Sequence, residues 1–188
     1  MQRKYRKYAL IGTSCTGKTA LLKDLVSHLE EKYLGEKILA VPEAARLYFK
    51  IVKTKQPFSY QHQVKVQSLA QELEKQTRIN KPRIVLTDRS VIDAVAYVHS
   101  TGDQKGTNKL IKKARSWVKT YTHLFLLDPK GVPYATDQVR KESKKTRQAF
   151  HESFLHVLPK LSVNWTLISG TKEQRLKKIL KLIYTSQL

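Results

Sequence analysis

Acidic residues are what this chain most lacks: Asp and Glu total 15 against 36 Lys and Arg, a formal charge of +21 over 188 residues. Such a field attracts polyanions, which brings in nucleotide, nucleic acid and anionic lipid as partner classes. A single cysteine, Cys15, excludes an internal disulfide and fits a reducing cytoplasm. No apolar run approaches the length of a membrane span. The basic opening Met1–Lys7 leads straight into a strand, so it reads as part of the fold and not as a signal peptide. Internal repeats, low-complexity tracts and long Pro/Gly linkers are missing as well. The six histidines, His28, His62, His99, His123, His151 and His156, show no metal-ligand spacing. With 40% apolar residues, one packed domain over 1–188 is expected.

What is present begins with Gly12-Thr13-Ser14-Cys15-Thr16-Gly17-Lys18-Thr19, a complete phosphate-binding loop. Tyr8-Ala9-Leu10-Ile11 before it reads as a buried strand. After it, Leu21, Leu22, Leu25, Val26 and Leu29 recur at helical spacing in Lys18–Glu31. Glycines let successive N–H groups point at phosphate oxygens, at the positive end of the following helix. Lys18 is expected to reach the β- and γ-phosphates, and the Thr19 hydroxyl to coordinate Mg²⁺. Cys15 stands where only the backbone is used, although the helix N-terminus also favours a modestly acidified thiol. The loop therefore implies a nucleoside triphosphate.

Further strands are expected at Lys37–Val41, Arg83–Thr87, His123–Leu127 and Trp165–Ile168. Helices are expected over Ala44–Lys53, Tyr60–Arg78 and Val91 to about Ser100, with a loop over Thr101–Gly106. Leu110, Ile111, Ala114, Trp117 and Val118 mark the next helix. A charged segment, Asp128–Arg147, leads into one bearing Phe150, Phe154 and Leu158. Thr171 caps the last, whose Leu176, Ile179, Leu180 and Ile183 oppose Arg175, Lys177, Lys178 and Lys181. That stripe is expected to pack on the sheet, a membrane-lying helix being the alternative. Strands alternating with helices predict an α/β fold with a parallel sheet, whose ligands sit beyond the carboxyl ends of the strands. The rule gathers the phosphate loop, Glu43, Asp88-Arg89 and Asp128 on one edge.

Asp88 ends an apolar strand and is expected to hold Mg²⁺ beside Thr19, directly or through water, unless it serves only as a helix cap. Asp128 competes for that role, but Pro129-Lys130-Gly131 after it reads as a turn. Glu43 suits a general base for an acceptor hydroxyl, with Arg46 on the same helical face for an anionic part of the acceptor. A Glu favoured by the helix dipole and paired locally with Arg46 explains the same two residues. Arg140 and Arg147 lie seven apart in a cation-dense segment and suit a closing lid, about 129–148, that neutralises transferring phosphate. A solvated helix face is the plainer reading of the lysines around them.

These motifs, with Pro42-Glu43-Ala44-Ala45-Arg46, Asp88-Arg89-Ser90-Val91-Ile92-Asp93-Ala94 and Asp137-Gln138-Val139-Arg140, resemble the NadR-like P-loop ATPases. That family includes nicotinamide riboside kinases and is related to nucleoside and nucleotide kinases. The resemblance runs over nearly the whole chain. It implies a P-loop NTPase fold with a five-stranded parallel core, ATP and Mg²⁺, and γ-phosphate transfer to a small acceptor. It also implies Glu43 as base, Arg89 touching the acceptor or its phosphate, and Arg140 and Arg147 as lid arginines.

Three activities remain open on sequence: a small-molecule kinase, a 5′-hydroxyl polynucleotide kinase, and a non-catalytic nucleotide-gated module gripping nucleic acid or anionic lipid. A salt titration separates polyanion binding from the first, because counterion release makes it steep.

Overall fold

The structure, a computed structural model, describes residues 5–132 and 144–186. Five strands form one sheet: β1 (Arg6–Ile11), β2 (Ile38–Val41), β3 (Ile84–Asp88), β4 (His123–Leu127) and β5 (Trp165–Ile168), in the order β2-β3-β1-β4-β5. All four pairings are parallel, with Leu10 level with Asp88 and Phe125. Helices α1 (Lys18–Lys32), α2 (Ala44–Ile51), α3 (Tyr60–Gln76), α4 (Val91–Ser100), α5 (Gln104–Val118), α6 (Lys144–Val157) and α7 (Lys172–Thr185) make the crossovers. This is the α/β architecture expected from the alternating pattern.

The strand period of two sorts the core into two layers. Tyr8, Leu10, Leu86, Phe125 and Leu127 face α1 and α7, meeting Leu21, Leu25, Ile179 and Ile183. Ala9, Ile11, Leu124 and Leu126 face the other way, onto Val91, Val95, Leu110 and Phe154. Each fully buried Leu, Ile or Phe contributes about 1.5–3 kcal/mol of transfer free energy, so both faces must be covered for the sheet to hold. The apolar stripe of α7 is therefore sheet-packed. Among the described residues no helix is long and apolar enough to cross a membrane.

One ion pair is buried on the side of the second layer, against α3 and α5. The Lys7 ammonium lies 2.5 Å from Glu74, which also accepts from the Trp117 indole at 2.8 Å and the Tyr121 hydroxyl at 2.6 Å. Burial depresses the Lys7 pKa, opposed by Glu74. The rings of Tyr121 and Trp117 flank the ammonium at 4.1 and 4.7 Å. With every partner satisfied, the cluster ties β1 to α3 and the end of α5.

Several expected boundaries shift. The α2 helix ends at Ile51, α3 at Gln76 with a 3-10 turn over Thr77–Asn80, and Leu158 sits in a 3-10 turn after α6. The loop expected over Thr101–Gly106 is shorter, because α5 begins at Gln104. Asp103 caps it by accepting from the Gly106 amide at 2.8 Å. Gly106 is helical and reads misleadingly as a breaker: a Cβ there would crowd Asp103 and lie 3.1 Å from the Tyr60 Cβ. A packing demand, not a turn, selects glycine.

Candidate active site

The phosphate loop connects β1 to α1 on the carboxyl edge of the sheet. Gly12 takes φ +126°, and a Cβ there would stand 3.1 Å from the Leu127 carbonyl, so only glycine lets the loop cross β4. No side chain caps the N-terminus of α1, in contrast to α4 and α7 with their capping boxes. Its first N–H groups thus remain available to an anion. Thr16 donates back to the Thr13 carbonyl at 3.0 Å and holds the curl. Thr13, Ser14 and Thr16 are buried and Cys15 is half-buried, with a left-handed backbone at φ 54°.

Lys18 is buried. It folds back to donate to the Thr13 carbonyl at 2.5 Å and Thr16 Oγ1 at 3.2 Å. Burial, and next the Arg89 guanidinium, push its pKa down to about 7, against the pull of Asp88, Glu43 and Asp93. The Thr13 carbonyl and the Thr16 hydroxyl are the local substitute for phosphate oxygens, which explains why the ammonium turns inward.

Thr19 and Asp88, expected to share a metal, are brought together: the Thr19 hydroxyl donates to Asp88 Oδ2 at 2.6 Å. Asp88 Oδ1 is buried without a partner among the described residues. Asp128 is used differently. Its carboxylate accepts from the Lys130 amide at 2.9 Å and the Ser169 hydroxyl at 2.9 Å, as a turn former would. Burial alone would raise its pKa, but those two bonds hold it below the ordinary range.

Glu43, at the end of β2, and Arg89, after β3, are joined by a buried ion pair of 2.7 Å. The Arg89 Nη1 group also donates to the Gly12 carbonyl at 2.9 Å, Asp93 Oδ1 at 3.0 Å and the Tyr97 hydroxyl at 2.7 Å. Burial works against its charge, yet Glu43, Tyr97 and Asp93 hold the guanidinium firmly protonated. Its own backbone is left-handed, at φ 74°. For a long side chain that conformation is costly and is retained by four converging bonds. Asp93 also closes the Ser90 capping box and accepts from the Ser90 amide at 2.8 Å. Burial raises its pKa, with Arg89 opposing. Arg46 stands at the rim, largely exposed, with Nε 3.6 Å from Glu43. The local Glu43–Arg46 pair anticipated from sequence exists, but it is the weaker of the two contacts.

Of the two arginines expected in a lid, Arg147 lies on α6 and is buried, donating to the Cys15 carbonyl at 3.1 Å and the Val132 carbonyl at 3.3 Å. Arg140 lies outside the described residues, as does Asp137-Gln138-Val139. Three participants escaped the sequence reading. Asp93 was legible as Ser90-x-x-Asp93, a capping-box spacing, and Tyr97 follows one turn later. Arg175 was expected on the polar face of α7 but is buried. It donates to the carbonyls of Gly170 at 2.7 Å, Asp128 at 2.8 Å and Thr16 at 3.3 Å.

Beside Asp88 a cavity of about 20 Å³, room for one water, opens between β3, α3 and α4. Gln63, Asp88, Arg89, Asp93 and Tyr97 line it, and Glu74 lies at its far end from the loop. Gln63 Oε1 and Thr87 Oγ1 have no partner there among the described residues.

No curated protein matches the chain in sequence. Solved structures do match in shape. The NadR protein in complex with NAD and AMP-PNP superposes with a TM-score of 0.74 at 15% identity, over 97% of this chain and 49% of the other. This chain thus spans about half the length of the NadR protein. Thymidylate kinase from Ehrlichia chaffeensis gives 0.68 at 15% identity, covering 95% and 98%. Deoxyadenosine kinase from M. mycoides, with the product dCMP and a flexible dCDP bound, gives 0.61 at 12% identity, covering 95% and 99%. The fold is that of the P-loop NTPases. Residues 7–175 match the model of a family described as an AAA domain, and to that AAA-domain family the chain belongs.

Proposed function

We propose that this protein is an ATP-dependent phosphotransferase that moves the γ-phosphate to a small nucleoside, nucleotide or riboside acceptor. The observation that carries the reading is the cavity beside Asp88, lined by Arg89, which pairs with Glu43 and adjoins the phosphate loop through the Arg89–Gly12 bond. A donor site and an acceptor site share that wall. Similarity to NadR, thymidylate kinase and deoxyadenosine kinase in fold supports the same class.

Mg²⁺ fits the residues present, because Asp88 keeps one buried oxygen unpartnered while its other oxygen takes the Thr19 hydroxyl. Thr19 and Asp88 would hold the ion, which supplies charge neutralisation on the phosphates. Lys18 exchanges the Thr13 carbonyl and the Thr16 hydroxyl for phosphate oxygens and regains full charge. Glu43 accepts the proton of the acceptor hydroxyl as the new O–P bond forms and the bond to the ADP oxygen breaks. Arg89, clamped by Asp93 and Tyr97, orients Glu43. Arg46 binds an anionic part of the acceptor from the rim, and Arg147, with Arg140 from the segment before α6, neutralises the transferring group. The cavity has room for one water as it stands, so its walls must part to admit the acceptor.

The test is a thermal-shift screen of nucleosides, nucleotides and ribosides with an ATP analogue and Mg²⁺ present. A true acceptor at 100 times its Kd stabilises by about 2.7 kcal/mol over the analogue alone. Hits are then assayed for ADP production. A panel in which nothing adds to the analogue, and no acceptor stimulates ADP release, rejects the reading.

A further inference from the structure

The excess charge is not spread evenly. Helix α5 and its C-cap expose Lys105, Lys109, Lys112, Lys113, Arg115 and Lys119, together with Gln104, Asn108 and Ser116, and no carboxylate. The α1 helix sets Asp24, Glu30 and Glu31 among Lys23 and Lys32; α7 is basic too, but it carries Glu173, and its Lys172 pairs with Asp24 at 2.6 Å. Among the described residues none of the six α5 cations is in an ion pair. Lys113 reaches only Ser68 on α3, at 2.5 Å, and Lys109 lies over the Tyr60 ring at 5.4 Å.

Helical periodicity aligns Lys105, Lys109, Lys112 and Lys119 in one row, since they are spaced by four, three and seven residues. The row runs about 21 Å along the axis at 1.5 Å per residue. Around it, Lys113 and Arg115 fall to either side. The opposite face of α5, with Leu110, Ile111, Ala114 and Val118, is buried in the core, so the ridge is rigidly mounted. Lys75, in the last turn of α3 and 3.9 Å from Glu72, and Arg78, in the 3-10 turn after it, adjoin the ridge, each 5.9 Å from the Trp117 ring.

We propose that the α5 ridge is a nucleic-acid docking surface that grips the phosphate backbone without reading sequence. Charge complementarity selects a polyanion, and the shape narrows it. A straight convex helix of about 10–12 Å diameter fits a major groove about 12 Å wide, with phosphates along both walls. Duplex DNA offers about one charge per 1.7 Å of axis, more than enough for a 21 Å row. An anionic membrane is disfavoured because α5 has nothing to insert: among the described residues the exposed large apolar side chains are Leu34, Leu47, Ile51, Ile79 and Leu155, none of them on α5. The α5 helix packs on the sheet face opposite to α1 and α7, and none of its six cations lines the cavity beside Asp88, so the proposal does not rest on phosphoryl transfer.

The experiment is fluorescence anisotropy of labelled 20-nucleotide single strands and duplexes of unrelated sequence, with the full chain, between 50 and 200 mM KCl. Five neutralised phosphates predict a log–log slope of about −4.5 on duplex, a loss of about 500-fold across that range. The triple substitution Lys109→Gln, Lys112→Gln, Lys119→Gln removes three contacts and about 2.7 of the slope, leaving about a 12-fold salt effect. A charge-matched triple on the opposite side, Lys23→Gln, Lys177→Gln, Lys181→Gln, should leave the slope within about one unit of wild type. Both triples must retain the thermal shift given by Mg-ATP, which reports an intact fold. Equal losses in the two triples would show diffuse attraction and overturn the site, as would a wild-type slope shallower than about −2. Tighter binding to phosphatidylserine vesicles than to either oligonucleotide, lost in the α5 triple, would overturn the assignment to nucleic acid.

Discussion

Nucleotide binding should draw a proton from solution onto Lys18. The buried ammonium is held at a pKa of about 7 by burial and by Arg89, so at pH 8 about 0.9 of it is neutral and at pH 6 about 0.1. A triphosphate brings several negative charges to the same side chain and restores the charged form. Binding at pH 8 should therefore take up close to 0.9 proton per nucleotide, a pH chosen because the γ-phosphate is already deprotonated. Isothermal titration calorimetry with a non-hydrolysable ATP analogue, in buffers of different ionisation enthalpy, reads this directly as the slope of apparent against buffer enthalpy. Uptake should fall to about 0.1 at pH 6. In Lys18→Met it should vanish at pH 8 while the fold persists. Uptake below about 0.3 proton at pH 8, or unchanged uptake in Lys18→Met, would refute the account of a neutral, inward-folded lysine. The sign for stability follows from the same numbers. Between the folded value near 7 and the ordinary 10.5, the unfolded chain binds more protons at this site. The nucleotide-free protein thus gains stability from this group as pH rises through that window.

Other expectations concern the two carboxylates and the buried ion pair. Glu43→Gln should lower single-turnover transfer to a hydroxyl acceptor by about 10²–10⁴-fold with analogue affinity little changed. Full activity there, alongside collapse in Arg89→Ala, would instead leave a phosphate acceptor that needs no base. Asp88→Asn should shift the Mg²⁺ titration to higher concentration as well as slow turnover, whereas a helix-capping role would leave the metal titration in place. Glu74→Ala strands the buried Lys7 ammonium and the Trp117 and Tyr121 donors, and should cost about 3–5 kcal/mol in urea unfolding. A cost below about 1 kcal/mol would mean that water reaches Lys7.

Strands were the most legible elements, because a sheet covered on both faces demands unbroken apolar runs such as His123–Leu127, and those stand out from their polar flanks. The phosphate loop was legible for a different reason: its residues are consecutive, and their spacing is set by one ligand. Contacts that cross the chain left weaker marks. Arg89 announced itself by position after a strand, but its four bonds to Gly12, Glu43, Asp93 and Tyr97 depend on how β1, β2, β3 and α4 come together. Arg175 looked solvated because its neighbours Lys177 and Lys178 are, and a basic helix face gives no hint of which member turns inward. Gly106 misled because glycine breaks helices by default, and the crowding by Asp103 and Tyr60 that requires it is tertiary.

The reach of Arg175 has a bearing on how the protein is made. The carbonyl of Thr16, in the first turn of the nucleotide loop, is held by a side chain supplied 159 residues later. The same guanidinium secures Asp128 and Gly170, so the loops after β4 and β5 are fastened at that moment too. During synthesis the N-terminal strand and helix leave the ribosome first, with their triphosphate loop complete in sequence but not yet braced. Only when α7 has emerged and docked against α1 does the last strut fall into place. A chain lacking α7 would carry the whole motif and bind nucleotide poorly, making ligand affinity a readout of whether α7 has docked.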